Sequence, residues 1–149
     1  MDAIPNHKGC VLLIDDSFAL SQILEIGLGN FGYSHESLAG VREFTERSLI
    51  GFDYQNRSKT VNLLEQQFLV ALVDGHLGTE SKRGVEIVPF LRQFDVMCLG
   101  VSTNPEENEA LEKAGCFKTV LKGMLDWVLP DLALIVEIAR AREEGQSPF

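Results

Sequence analysis

Apolar residues along this chain fall into short unbroken runs and helically spaced stripes, and the two alternate. The clearest run is Leu69-Val70-Ala71-Leu72-Val73, which stops at Asp74-Gly75. An unbroken apolar run ending at a turn signal suits a strand buried on both faces, although periodicity alone leaves a buried helix open. Cys10-Val11-Leu12-Leu13-Ile14 repeats the pattern and stops at Asp15-Asp16-Ser17, and the run from Val96 to Val101 stops at Ser102-Thr103. Thr119-Val120-Leu121 is a shorter copy that stops at Lys122-Gly123, and Tyr33 to Ala39 is a weaker strand.

Helical spacing fills the intervals. Leu20, Ile23, Leu24, Leu28 and Phe31 predict a helix over about 17–30 with one face inward, stopped by Asn30 and Gly32. Val41 to Leu49 predicts a second helix, and Val85, Ile87, Val88, Leu91 and Phe94 a third that contains Pro89. Asn104-Pro105-Glu106-Glu107 opens a fourth with a capping Asn, Pro in first place and acids in the first turn, ending at Gly115. Leu132 to Arg142 predicts the closing helix, with Leu134, Ile135 and Ile138 inward. Residues 50–60 keep no period and read as an exposed loop, Val61, Leu63 and Leu64 as a short helical turn, and 75–84 as a long polar loop.

Five strands alternating with five helices predict an α/β fold, a doubly wound five-stranded parallel sheet. Such sheets carry their chemistry at the carboxyl ends of the strands. Four of the runs end there in a polar group suited to phosphate or metal: Asp15-Asp16, Asp74, Ser102 and Lys122. A purely local role for Asp74, capping the turn after it, is the plainer alternative.

Composition narrows the class. A chain of 149 residues, 45% of them apolar, suits one domain with a real core. Mean hydropathy is +0.04, and no apolar run approaches the ~18 residues of a spanning helix. Residues 1–8 are polar and lack a signal-peptide core, so a cytoplasmic location is expected. Cys10, Cys98 and Cys116 lack metal-like spacing and read as buried free thiols. The net charge of -9 argues against nucleic acid or an anionic membrane as the main partner.

Three carboxylates converging on one edge would stand about 5 Å apart, each like-charge contact costing roughly 3 kcal/mol at an effective dielectric near 20. Such a group persists with a partly neutralised carboxyl or with a cation. Hard oxygen ligands on a partly solvated edge favour Mg²⁺, which keeps waters and leaves room for a phosphate oxygen. Lys122 adds an ammonium and Ser102 a hydroxyl, together matching a phosphoryl group held on Asp74.

The order Ile14-Asp15-Asp16-Ser17, Val73-Asp74, Val101-Ser102, Leu121-Lys122 resembles the receiver domain of two-component response regulators, over about residues 9–142. The resemblance implies a flavodoxin-like sheet of order 2-1-3-4-5 and a single receiver domain over 9–149, with 1–8 as an N-terminal tail and 47–60 as a loop insertion. It implies that Asp74 is the phosphoacceptor, that Asp16 ligates Mg²⁺ directly, that Asp15 acts largely through water, and that the backbone carbonyl of His76 completes the site. Ser102 would hydrogen-bond the phosphoryl group, and Lys122 would pair with it. The implied donor is a histidine kinase or phosphotransfer protein. With no residues after Phe149 for an output domain, output is expected through a protein partner or an oligomer.

Three positions depart from that pattern. Gly123 stands where the family usually has proline, Thr119 where a Tyr or Phe usually switches, and Thr103 where Ala or Gly usually follows the hydroxyl residue. Thr103 and Thr119 therefore mark an altered switch region. They keep an alternative open: a receiver-fold binding or adaptor module with atypical or no phosphate switching. An aspartate phosphatase of the haloacid dehalogenase type would need a second Asp two residues after its nucleophile. Neither Asp15-Asp16-Ser17 nor Asp74-Gly75-His76 supplies one, so the chain reads as no enzyme beyond self-dephosphorylation. Plain readings cover the rest: the His76 side chain as a loop histidine, Trp127 as core or interface, and Glu106, Glu107 and Glu109 as a solvated helix face.

Overall fold

The structure, a computed structural model, describes the backbone of residues 10–122 and 125–143 and the side chains of 10–122 and 130–142. Expectations for the 1–8 tail, for Gly123 and for the Trp127 side chain lie outside the described residues. The elements run β1 (Cys10–Ile14), α1 (Phe18–Asn30), β2 (Ser34–Leu38), β3 (Gly40–Phe44), β4 (Ser48–Phe52), β5 (Ser58–Asn62), β6 (Val70–Asp74), α2 (Gly84–Arg92), β7 (Met97–Ser102), α3 (Pro105–Ala114), β8 (Lys118–Leu121) and α4 (Leu125–Glu143).

A five-stranded parallel sheet has the order β2-β1-β6-β7-β8, the flavodoxin-like 2-1-3-4-5 arrangement once only its own strands are counted. Alternation along β1 divides the core. Val11 and Leu13 join Val70, Leu72, Leu99 and Val101 under α1 and α4, whose Leu24, Leu28, Leu132 and Val136 close that face. Leu12 and Ile14 join Ala71, Val73 and Cys98 on the other face, against Ile87, Val88 and Leu91 of α2 and Leu111 of α3. Both faces are covered, which is why these strands read as unbroken apolar runs.

The second face also differs from expectation. Val41 to Leu49 is not a helix, and 50–60 is not an exposed loop. The segment forms β3, β4 and β5, a three-stranded antiparallel sheet of that order, so the large sheet has four helices and this small sheet around it. Val41, Leu49 and Val61 are buried in the same core as Leu12 and Ile14. The expected loop insertion at 47–60 is thus mostly strand, with Leu49 and Val61 carrying core packing. Its two turns are built differently. Thr45 and Ser48 close the first, the Ser48 N–H donating to Thr45 Oγ1 (3.0 Å). In the second, Asp53 Oδ1 accepts the N–H groups of Gln55 and Arg57, both at 2.9 Å, and Asn56 takes a left-handed φ of 61°. Gly51 permits the close pairing of β3 and β4, since a Cβ there would stand 2.2 Å from the Gly40 carbonyl oxygen.

The other helices follow the sequence more closely. Asn104 caps α3 by accepting the Glu106 N–H at 2.8 Å, Pro105 opens the helix, and Gly115 closes it at φ 127°. Helix α2 runs through Pro89. Helix α4 starts at Leu125 rather than Leu132, with Pro130 inside it, and Leu134 is exposed rather than inward. Cys10 and Cys98 are buried and Cys116 half-buried, all three free. Among the described residues no helix is long and apolar enough to cross a membrane.

Candidate functional site

The carboxyl ends of β1, β6, β7 and β8 meet at one edge, and backbone hydrogen bonds set their heights. The Asp15 N–H donates to Leu38 O (3.2 Å), Gly75 N–H to Val101 O (2.9 Å) and Lys122 N–H to Ser102 O (2.9 Å). This framework brings Asp15, Asp16, Asp74 and Lys122 together. Lys122 Nζ lies 2.8 Å from Asp74 Oδ2, 3.0 Å from Asp15 Oδ1 and 3.7 Å from Asp16 Oδ1. The three carboxylates each offer an oxygen within 4.8 Å of the others. Asp15 and Asp74 are buried and Asp16 is exposed.

One ammonium faces three carboxylates. Burial pushes Asp74 up to about 6, and the Asp15 charge adds to this against the hydrogen bond from Lys122. Burial also raises Asp15, opposed by the Ser17 N–H and by Lys122. For Lys122, burial pulls the ammonium down, but its bonds to Asp74 and Asp15 outweigh that and hold it above its ordinary value. The remaining donors are local: Ser17 N–H to Asp15 Oδ1 (2.7 Å) and His76 N–H to Asp74 Oδ1 (3.2 Å). Asp15 Oδ2 is buried with no hydrogen-bond partner. A buried carboxylate oxygen without a donor, beside two further carboxylates, fits a hard divalent cation such as Mg²⁺.

Ser102 closes β7 beside this group, but its hydroxyl is committed elsewhere. Ser102 Oγ donates to Glu107 Oε1 (3.2 Å) and accepts the Asn104 N–H (3.1 Å). Thr103 and the His76 side chain are exposed, and Thr119 Oγ1 donates to Glu112 Oε2 at 2.8 Å on α3. A cavity of about 720 Å³ lies at the opposite edge, around Leu69, Arg92 and Met97, and takes no part in this arrangement.

Two features of the site escaped the sequence reading. Glu107 is not on a solvated face: its side chain is only 13% exposed, and it also takes the Arg83 guanidinium at 2.7 Å. Tyr54, in the turn between β4 and β5, donates its hydroxyl to the Asp15 carbonyl at 2.5 Å, with its ring edge-on to Phe18. Burial, with Asp15, Glu25 and Asp16 nearby, lifts that hydroxyl to about 12, so it stays a donor throughout the neutral range. Tyr54→Phe is expected to cost about 1 kcal/mol in urea unfolding, the worth of one such bond. No measurable loss would show that the hydroxyl contributes nothing to holding Asp15.

Solved structures resemble this chain in shape at low sequence identity. No protein-family model matches it, and no curated protein matches it. The signal receiver domain of a LuxO repressor protein from Vibrio parahaemolyticus superposes with a TM-score of 0.66, covering 93% of this chain and 98% of that one at 16% identity. The chain has the receiver-domain fold. A response regulator from Burkholderia pseudomallei, solved with a phosphorylated aspartic acid, a calcium ion and citrate, gives 0.61 over 91% and 72% at 19% identity. A response regulator from Thermotoga maritima gives 0.59 over 87% and 98% at 17% identity. Within that receiver fold, β3–β5 occupy the stretch that the sequence pattern assigns to a second helix over 41–49 and an exposed loop over 50–60.

Proposed function

We propose that Asp74 accepts a phosphoryl group from a histidine kinase or phosphotransfer protein in a Mg²⁺-dependent reaction. In this reading residues 9–149 act as one receiver domain whose output passes to a protein partner or an oligomer. The observation that carries it is the position of Asp74 at the end of a central strand, with its carboxylate on Lys122 and the Asp15-Asp16 pair alongside. The Burkholderia neighbour, with its phosphorylated aspartic acid, supports the same reading.

The chemistry follows from the groups present. A carboxyl held near 6 is mostly ionised at pH 7, so Asp74 is available as a nucleophile. One of its oxygens bonds to phosphorus while the bond from phosphorus to the donor atom breaks, and the donor leaves with that electron pair. The Lys122 ammonium offsets the charge gathered around the phosphoryl oxygens, and the Ser102 hydroxyl would bond one of them once it leaves Glu107. Asp15, Asp16, Asp74 and the His76 carbonyl would hold Mg²⁺, which supplies positive charge against both carboxylates and phosphoryl oxygens. Such a protein turns over only itself, by hydrolysis of its own acyl phosphate.

Intact mass after incubation with Mg²⁺ and acetyl phosphate tests the assignment. The wild type should gain one acid-labile phosphoryl group, which Asp74→Asn and omission of Mg²⁺ should both remove. An undiminished gain in Asp74→Asn would exclude Asp74. The alternative, a receiver-fold adaptor without conventional switching, draws on Thr119 being a small side chain tied to Glu112. Hydrogen exchange separates the two: changes over 103–119 on phosphorylation support switching, and none there supports the adaptor.

A further inference from the structure

We propose that Glu107 competes with the phosphoryl group for the Ser102 hydroxyl, and that losing this competition frees Arg83 at the start of α2. The inference rests on Asp74 being the phosphoacceptor, and it names what holds the site beforehand and what moves afterwards.

A hydroxyl has a single proton to donate. In this structure Ser102 gives it to Glu107 Oε1 at 3.2 Å, while its oxygen is occupied by the Asn104 N–H. Glu107 is pinned from its other side, where Oε2 takes the Arg83 guanidinium at 2.7 Å. Its carboxylate also lies over the residue that follows Asp74: a Cβ on Gly75 would stand 2.6 Å from Glu107 Oε1 and 2.7 Å from its Cγ. The acid therefore occupies the space next to the acceptor, on the side of the Ser102 hydroxyl.

Phosphorylation changes the balance. When an Asp74 oxygen attacks acetyl phosphate, the new oxygen–phosphorus bond forms, the bond from phosphorus to the acetate oxygen breaks, and acetate leaves with that pair. Asp74 then carries a dianionic group with acceptor oxygens of its own. These oxygens compete for the Ser102 proton, and they repel the Glu107 carboxylate in a poorly solvated place. Ser102 turns to the phosphoryl group and Glu107 withdraws. Arg83 precedes the first residue of α2 and Glu107 lies in the first turn of α3, so the Arg83–Glu107 pair joins the two helix starts. Its rearrangement carries the signal to α2 and α3 and requires no aromatic ring at position 119.

The test uses the full chain with Mg²⁺ and acetyl phosphate, following phosphoryl uptake by intact mass and the Arg83 side-chain N–H by NMR. Glu107→Gln keeps the shape and removes the charge, and uptake should be about three- to tenfold faster, as expected for relief of one charge-assisted contact. Gly75→Ala, which pushes the carboxylate away from Ser102 without altering its charge, should act in the same direction and stands in if Glu107→Gln fails to fold. In a Ser102→Ala background the effect of Glu107→Gln should shrink to less than about twofold, since neighbours sharing one contact are not additive. The Arg83 resonance should shift on phosphorylation in the wild type and stay still in Glu107→Gln, which a merely structural role for Glu107 would not produce. Wild-type uptake with Glu107→Gln and Gly75→Ala unchanged or slower, or with a stationary Arg83, overturns the proposal. No uptake by the wild type at all overturns the assignment of Asp74 itself.

Discussion

Lys122→Ala should cost about 3–5 kcal/mol of stability at pH 7 in metal-free buffer, the scale for removing one partner from a buried ion pair. The ammonium lies 2.8 Å from Asp74 and 3.0 Å from Asp15, whose side chains are 5% and 1% exposed. Without it, two carboxylates share a buried site with no countercharge. Asp16 contributes little to this loss, because water already solvates about half of its side chain. The effect has two signatures. It should shrink as the pH falls, since protonated carboxyls need no cation, and it should shrink again when Mg²⁺ replaces the missing charge. Urea unfolding at pH 7 and pH 5, with chelator and with Mg²⁺, reads both. A loss below about 1 kcal/mol with no pH dependence would mean that Lys122 is not the countercharge the geometry makes it.

The sequence shows most of the large sheet because burial on both faces leaves a simple trace. Cys10–Ile14, Val70–Asp74 and Met97–Ser102 are unbroken or nearly unbroken apolar runs, and each ends at a polar residue where the strand leaves the core. The same logic makes Asp15, Asp74, Ser102 and Lys122 visible, because each follows or closes a strand and needs no distant contact to be placed on the shared edge. The small sheet is hidden by a coincidence of spacing. Val41, Phe44 and Leu49 sit at intervals that mimic a helix, and the turn through Glu46-Arg47 carries neither Gly nor Asn. Asp53 and Asn56 were the usable signal, an Asp whose side chain caps a turn and an Asn suited to positive φ, lying between what become β4 and β5.

Glu107 and Tyr54 were illegible for another reason. An acid in the first turn of a helix is adequately explained by the helix dipole, so nothing local points from Glu107 to Ser102 or Arg83. Tyr54 reaches Asp15 across 39 positions of sequence, and only the packing of the β4–β5 turn over the end of β1 brings them together. Both residues take their meaning from tertiary placement. Asp15, Asp74, Ser102 and Lys122 take their meaning from where strands stop.

Metal-free protein should gain stability as the pH is lowered from 7 towards 4, against the usual direction for acid. Asp74 ionises near 6 in the folded chain against 3.8 when exposed, chiefly because it is buried and then because Asp15 stands beside it. Between those values the folded state binds more protons than the unfolded one, so stability falls as pH rises through the window and levels off above about 7. A carboxyl held at about 6 rather than 3.8 corresponds to on the order of 3 kcal/mol. Asp15, raised as well, acts with the same sign. Asp53, lowered mainly by the Arg57 N–H, acts with the opposite sign, but only as the pH falls below its ordinary value. Asp74→Asn removes the titrating group, and it should flatten the profile between pH 4.5 and 7 while leaving the variant more stable than wild type at pH 7. Mg²⁺ should reverse the slope, because it binds the ionised carboxylates and the native state then takes up fewer protons than the unfolded chain. Denaturant midpoints across this range, with chelator and with Mg²⁺, decide the matter. A metal-free profile that rises with pH would mean that Lys122 more than offsets the burial of Asp74, and that the acidic edge is stable with no further cation.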